Sequence, residues 1–360
     1  MKTFKQIIVF TDSMGNCGIN RVLSELTEIW IERGHHVSIA YMTKNNDLIE
    51  DDYNWDPRIK MIPIRVGDNQ AKNYRILIKN YIKILKSNPE AIAVSLSVMT
   101  NFAMGAASLF VKNKIIISDR NDPTRRPAGR VKQAIRDLAF RQADVLILQT
   151  EDVQKYYESR IAKKGVIIPN PINNNLPLPR SVDFKRKPVI VTSSRLNKQK
   201  NLGLLIEAFS KLKDSHPEYN LEIYGRGEEE GNLKNRAKEC LVSDKVIFKG
   251  FSNNIYDDIK DCAIYVCSSD YEGISNALLE ALGLGMPCIS TDCPVGGSRL
   301  LIENGVNGIL VDVGDAEALY QQMKRLIEDP DLSRKLSENA VGVREKYNVE
   351  KIAQMWLDNM

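Results

Sequence analysis

The sequence predicts an α/β protein built from two doubly wound parallel-sheet domains. Three observations carry this. At 360 residues the chain exceeds what one hydrophobic core usually holds. In both halves, short apolar runs of strand length alternate with amphipathic helical segments, as in a parallel sheet covered by helices on both faces. Near the middle a proline- and asparagine-rich stretch breaks the alternation: Pro169-Asn-Pro171-Ile-Asn-Asn-Asn-Leu-Pro177-Leu-Pro179, then Lys185-Arg-Lys-Pro188.

The elements follow in order. Ile7–Phe10 is apolar and short, a strand. Asn20–Arg33 places Val22, Leu23, Leu26, Ile29 and Trp30 at helical spacing, and Gly34 ends the helix as a C-cap glycine. Val37–Tyr41 is the next strand and Tyr74–Leu85 the next helix. The uncharged stretch 91–111 approaches the length of about 20 residues that a membrane helix needs. Its Ser95, Ser97, Thr100, Asn101, Gly105 and Ser108 argue instead for a buried strand (Ile92–Leu96) and a buried helix (Asn101–Phe110). A strand at Lys114–Ile117, a helix at Val131–Arg141 and a strand at Val145–Leu148 complete the first half. The second half repeats the pattern, with strands at Val189–Ser193, Leu221–Tyr224, Val246–Phe248, Ala263–Cys267, Cys288–Ser290 and Gly308–Val311. The expected division is a domain over 1–170, a linker over 171–188, a domain over 189–348 and a closing helix over 349–360. Ligands of such folds bind outside the carboxyl ends of the strands, so two facing lobes gather both sets of strand ends into one central cleft.

Charged residues at 27% and hydrophobic residues at 43% are ordinary for a soluble globular protein. The apolar run that follows Met1-Lys-Thr-Phe-Lys-Gln is too short for the core of a secretory signal. Six scattered cysteines without a C-x-x-C pair, and only three histidines, argue against a metal site and for free thiols in a reducing cytoplasm. The net charge of +4 is uneven: residues 1–180 hold 27 Lys and Arg against 18 Asp and Glu, and residues 181–360 hold 23 against 28. A basic first half suits an anionic surface or a polyanionic acceptor, although chance fluctuation gives the same number. No nucleic-acid motif is present.

The most informative stretch is Glu272-Gly-Ile-Ser-Asn-Ala-Leu-Leu-Glu280, followed by Ala281-Leu-Gly-Leu-Gly285-Met-Pro287. It reads as a loop carrying Glu272 after the strand Ala263–Cys267, then a helix from about Ser275 carrying Glu280. The free N–H groups at a helix start form an anion site. Two acceptor-only carboxylates beside an anion site suit a ligand with both hydroxyls and phosphates, and a nucleotide-sugar has both. Read alone, the two acids would be a loop charge and a solvated helix residue.

With its flanking Ser268-Ser-Asp-Tyr-Glu-Gly273 and Gly285-Met-Pro287, this stretch resembles the E-x7-E motif of the family 4 retaining glycosyltransferases of the GT-B fold, which pairs two Rossmann-like domains. The resemblance covers most of the chain and is strongest from Val189 to Asp312. It implies that Glu280 bonds the ribose hydroxyls and Glu272 the donor sugar. The backbone N–H groups of Gly273, Ile274, Ser275 and Asn276 are expected to meet the diphosphate or sugar. Ser193-Ser-Arg195-Leu-Asn-Lys-Gln-Lys200-Asn is similar to the family's G-R-L-x-x-x-K-N, with Ser194 in place of Gly, and implies that Arg195 and Lys200 bind the diphosphate. Fixed cations there stabilise charge that grows on the leaving phosphate; a basic surface loop is the plainer reading. Tyr224-Gly225-Arg-Gly227 resembles the family's glycine turn, where the backbone comes close to a ligand. Phe251, after Lys249-Gly250, matches the loop bordering the base. The closing helix is expected to cross back onto the first domain, as in the GT-B fold.

Two loops depart from the family. In Thr11-Asp-Ser-Met-Gly15-Asn-Cys-Gly18-Ile-Asn-Arg21, Gly18 and Arg21 fit a G-G-x-x-R pattern while Cys17 replaces its first Gly. The spacing is not that of a dinucleotide fingerprint. In Ser118-Asp-Arg120-Asn-Asp122-Pro123, Arg120 stands where a histidine is common. Arg120 either binds a donor hydroxyl or an acceptor phosphate, or forms a salt bridge with Asp119 or Asp122. Arg125, Arg126, Arg130, Lys132, Arg136 and Arg141 follow, around an apolar face of Val131, Ala134, Ile135, Leu138 and Ala139. Such a helix rests on anionic lipid or simply presents a solvated basic face.

The resulting expectation is a cytoplasmic glycosyltransferase, also placed at the inner face of the plasma membrane, that needs neither cofactor nor metal. Its donor is expected to be a UDP-sugar and its acceptor a hydroxyl of a glycan or lipid-linked oligosaccharide, with retention of configuration. Arg120, Arg195, Lys200 and Glu272 are the catalytic candidates. Glu272→Ala and Arg195→Ala are expected to cut transfer without unfolding the protein. A non-catalytic nucleotide-sugar-binding protein and an epimerase of the same fold are the alternatives.

Overall fold

The computed structural model describes residues 4–15, 17–44, 55–125, 127–181 and 183–360. The chain forms two compact units, Met1–Pro171 together with Val349–Met360, and Ile172–Asn348.

The first unit holds seven parallel strands: β1 (Gln6–Thr11), β2 (His36–Thr43), β3 (Lys60–Arg65), β4 (Ile92–Ser95), β5 (Ile115–Asp119), β6 (Val145–Leu148) and β7 (Gly165–Ile167), in the order β3-β2-β1-β4-β5-β6-β7. β3 and β7 were not expected from the pattern. Both are edge strands without a fully buried apolar run, and β3 carries Pro63, which an edge tolerates. Helix Gly18–Glu32 buries Val22, Leu23, Leu26, Ile29 and Trp30 against the sheet, and Gly34 follows it at φ +89°. The closing helix Val349–Asp358 docks on it: the Trp30 and Trp356 rings lie 6.1 Å apart, and Trp30 Nε1 donates to Ala353 O at 3.3 Å. Ile352, Ala353, Trp356 and Leu357 thereby join the core of this unit.

The uncharged stretch is β4 followed by helix Val98–Ala107, which starts earlier than expected because Ser97 and Thr100 form a capping box. Among the described residues no helix is long and apolar enough to cross a membrane.

Helix Arg130–Gln142 does not pack as an ordinary helix with its apolar face inward and a solvated basic face. Arg136 is buried with Ala139 and Phe140, while Val131, Ile135 and Leu138 are exposed. The Arg136 guanidinium sits 4.9 Å from the Tyr157 ring centroid and donates to Pro123 O at 2.6 Å and to Asp137. These partners give a buried cation what water otherwise supplies.

The second unit holds six parallel strands: β8 (Lys187–Ser193), β9 (Asn220–Tyr224), β10 (Val246–Gly250), β11 (Cys262–Cys267), β12 (Cys288–Thr291) and β13 (Ile309–Val311), in the order β10-β9-β8-β11-β12-β13. Ile190, Ile223, Ile264 and Ile289 pack against Leu205, Ile206 and Phe209 of helix Leu202–Ser210 and against Leu319 and Met323 of helix Ala316–Glu328. All six cysteines are free. In each unit the chain reverses its direction of winding once, between β1 and β4 and between β8 and β11. Doubly wound sheets bind ligands at the carboxyl ends of the strands flanking such a point.

Candidate active site

The loops after β8 and β11 flank the switch point of the second unit, and they are laced together. Asp270 N donates to Gln199 O (2.9 Å) and Gln199 Nε2 to Tyr271 O (2.8 Å). Asn201 Nδ2 reaches Asp270 Oδ1 (2.7 Å), and Ser268 Oγ reaches Lys200 O (3.0 Å). Asn201 holds the left-handed conformation (φ 43°), which Asn tolerates better than most residues.

This lacing brings two predicted residues into contact. Lys200 Nζ donates to Glu272 Oε1, whose oxygen also accepts from Ser269 Oγ at 3.0 Å. Burial works against the Lys200 ammonium, but the Glu272 carboxylate outweighs it, and the Lys200 pKa ends above the ordinary lysine value. Arg195 lies on the same loop, exposed, close enough that its charge opposes that of Lys200. Beside Lys200 is a hollow of about 10 Å³, lined with Ser193, Ser268, Ser269 and Ser275 hydroxyls, room for about one water.

Gly273, Ile274 and Ser275 are buried and Asn276 is half-buried. Ser275 caps helix Asn276–Gly283 through Leu278 N at 3.4 Å, and Glu280 lies buried in the second turn. A second layer supports this loop. A Cβ on Gly297 would stand 1.6 Å from Gly273 O, so the 293–297 loop lies backbone to backbone beneath it. Thr291 Oγ1 donates to Ser269 O at 2.6 Å.

The glycine turn after β9 has a different reason from the expected close approach to a ligand. A Cβ on Gly225 would lie 1.8 Å from Ser194 O, and one on Gly227 would lie 2.2 Å from Leu196 O. The two glycines let the Arg195 loop rest on this turn, with Leu196 N donating to Arg226 O at 2.9 Å. Gly225 N also donates to Gly250 O (2.7 Å), tying in the next loop, where Phe251 is exposed. Sequence reasoning missed Gln199, Asn201, Ser269, Thr291 and Gly297. Gly296-Gly297, directly after a strand-like run, was the one readable signal.

In the first unit, Gly18 opens helix Gly18–Glu32, and the Cys17 side chain at its N-cap makes no capping hydrogen bond. The preceding loop is held by Asn20, whose Nδ2 donates to Ser13 O (2.8 Å) and Gly15 O (2.7 Å). Arg120 makes neither of the expected salt bridges. Asp119 takes the Tyr157 hydroxyl instead, and Asp122 Oδ1 takes Thr124 N and Oγ1. Arg120 turns to neutral partners, Asn170 Oδ1 and Ser118 Oγ. Burial, then the nearby Arg21 charge, lower its pKa to about 10. Burial is also the main reason the Asp119 carboxyl is pushed up to about 6. Arg125 and Arg130 are exposed, and Arg126 lies outside the described residues. Among the described residues no cluster of three or more His, Cys, Asp or Glu is placed to hold a metal ion.

The arrangement is that of the GT-B fold. Sucrose-phosphate synthase from Thermosynechococcus elongatus superposes with a TM-score of 0.83 at 18% identity, covering 98% of both chains. Anabaena HepE, in a structure with UDP and glucose, gives 0.82 at 17% identity, again over 98% of both chains. One family model, glycosyl transferases group 1, matches residues 178–342, and a second, glycosyltransferase family 4, matches residues 17–176. An uncharacterized glycosyltransferase of Haemophilus influenzae is 25% identical over 98% of this chain and 99% of its own. An N-acetylgalactosamine-N,N'-diacetylbacillosaminyl-diphospho-undecaprenol 4-alpha-N-acetylgalactosaminyltransferase of Campylobacter jejuni is 34% identical over 46% of this chain and 44% of its own. One match on each unit, with glycosyltransferases among the relatives, supports a family 4 glycosyltransferase of the GT-B fold. The alternatives of an epimerase or a non-catalytic binding protein are not favoured.

Proposed function

We propose that the protein transfers a sugar from a UDP-sugar to a hydroxyl of a glycan or lipid-linked oligosaccharide, with retention of configuration, at the cytoplasmic face of a membrane. The observation that carries this reading is the Lys200–Glu272 pair at the β8/β11 switch point, with exposed Arg195 on the same loop.

As the bond between sugar and phosphate breaks, negative charge grows on the leaving diphosphate. Arg195 and Lys200 lie on the loop that would meet it, and cations already in position stabilise that charge as it develops. Glu272, relieved of Lys200, accepts bonds from the sugar hydroxyls, and Glu280 does so from the ribose. Each such charge-assisted bond contributes about 1.5–3 kcal/mol. The 273–276 backbone and the loops at Gly225 and Phe251 frame the rest of the donor. In the first unit Gly18 and Arg120 complete the reading: Arg120, whose partners are neutral, offers its charge to a donor hydroxyl or an acceptor phosphate. The leaving phosphate takes the acceptor proton on the same face of the sugar, so no separate base is assigned. The UDP-bearing fold neighbour and the relative named for an undecaprenyl diphosphate-linked substrate support donor and acceptor class.

The test is a thermal-shift panel of nucleotide-sugars followed by assay of nucleotide release. A ligand that binds only the folded form raises its melting temperature. A UDP-sugar is expected to stabilise the protein and to release UDP slowly. No stabilisation by any nucleotide-sugar would sink the proposal.

A further inference from the structure

Helix Arg130–Gln142 leaves Val131, Ile135 and Leu138 outward, 75%, 48% and 57% exposed. Their i, i+4, i+7 spacing lines them along one face. Single exposed aliphatics need no explanation, but a contiguous row does. The helix cannot roll to hide it. Arg136 is anchored on the opposite side by Pro123 O, Asp137 and the Tyr157 ring. A Cβ on Gly105 would stand 2.3 Å from Ala139 Cβ, so that flank is packed to backbone distance.

The charges around the row say what covers it. Arg130 and Lys132 are exposed and lie about 100° round the helix to either side of the row. Among the described residues no carboxylate is recorded against either cation. Beyond the other end of the helix, Leu109 and Phe110 are 65% and 60% exposed, and Lys112 and Lys114 line a shallow hollow with Gln142 and Asp144, whose Oδ2 accepts from Ile115 N. An apolar crest between two cationic shoulders is the pattern of a helix lying in an anionic membrane interface. A parallel two-fold contact along this row would set Arg130 of one copy against Lys132 of the other.

We propose that this helix lies in the headgroup region of an anionic membrane, with Val131, Ile135 and Leu138 inserted and Arg130 and Lys132 on lipid phosphates. The proposal gives physical form to the membrane location in the functional reading and rests on that reading for the membrane setting. The surface itself involves none of the residues assigned to the donor.

The test uses the full chain with vesicles of phosphatidylcholine alone or mixed with phosphatidylglycerol. The protein is expected to sediment with the mixed vesicles and less as salt rises. The triple variant Val131→Ser/Ile135→Ser/Leu138→Ser is expected to lose at least about tenfold in partitioning, and Arg130→Gln/Lys132→Gln about fivefold per cation. In Ile135→Trp, emission is expected to shift to the blue on adding mixed vesicles and to be quenched by brominated lipid. Unchanged partitioning of the triple variant, or unchanged Trp emission, would overturn the proposal. So would a concentration-dependent dimer, lost in the triple variant, with no vesicle binding. Stabilisation by UDP reads the other question: vesicle binding without it sinks the donor assignment and leaves this one standing.

Discussion

The Lys200 ammonium and the Glu272 carboxylate, 72 residues apart in sequence, meet as a largely buried pair. The contact joins the loops on either side of the strand-order reversal in the second unit. It also means that the two residues assigned to different parts of the donor hold each other in place, so mutation of either disturbs both.

Glu272→Ala is therefore expected to cost stability as well as activity. Leaving a buried charge without its partner costs about 3–5 kcal/mol. Lys200→Met should cost less, since the remaining carboxylate keeps Ser269 as a donor. The double variant is expected to be more stable than the sum of the two, by denaturant titration across a double-mutant cycle. Strict additivity would mean that the pair is not formed in solution. This modifies the expectation of an intact fold for Glu272→Ala.

Arg195→Ala separates chemistry from folding. The residue is exposed, so its loss should change stability by no more than about 0.5 kcal/mol. Transfer is expected to fall at least about tenfold through lost charge stabilisation. Wild-type rates in a folded Arg195→Ala protein would remove it from the site.

Gly225→Ala and Gly297→Ala should both lower the melting temperature and weaken nucleotide binding, because the added carbon would meet Ser194 O or Gly273 O at less than 2 Å. Gly203→Ala is the control. It lies in helix Leu202–Ser210 with nothing within 4 Å of the new carbon, and is expected to be stabilising by about 0.5–1 kcal/mol. Equal effects at all three positions would mean that the loops are not packed as described.

The Asp119 carboxyl, raised to about 6 chiefly by burial, makes the first unit sensitive to pH. An unfolded aspartate titrates near 3.9, so between these values the folded form binds more protons. This stabilisation is complete below about pH 4 and is lost as pH rises through about 6. Relative to Asp119→Asn, the wild type is expected to lose on the order of 2–3 kcal/mol across that window. Unfolding midpoints from pH 4 to 7.5 check it, and a constant difference between the two proteins would refute it.

The parallel-sheet class and most strands were legible because apolar runs such as Ile7–Phe10 and Ala263–Cys267 are buried on both faces. The edge strands β3 and β7 were not, since a half-exposed edge lacks that run. At the candidate site the charged residues stood out by type and spacing. The Lys200–Glu272 contact did not, because it depends on how two loops distant in sequence are laced by Gln199, Asn201 and Ser268. Of the two readings of helix Arg130–Gln142, the solvated basic face of an ordinary packed helix is the one overturned: the pattern favours burying aliphatics, and only Tyr157 and the Pro123 carbonyl make it possible to bury Arg136 instead.

The seating of Trp356 against Trp30 bears on the order in which the protein is made. The hydrophobic interior of the first unit stays unfinished until residues 349–360 leave the ribosome. The second unit, contiguous from 172 to 348, has its whole sequence available before then. During synthesis the second unit can thus mature first, while the first unit waits for Ile352, Ala353, Trp356 and Leu357 to complete its core.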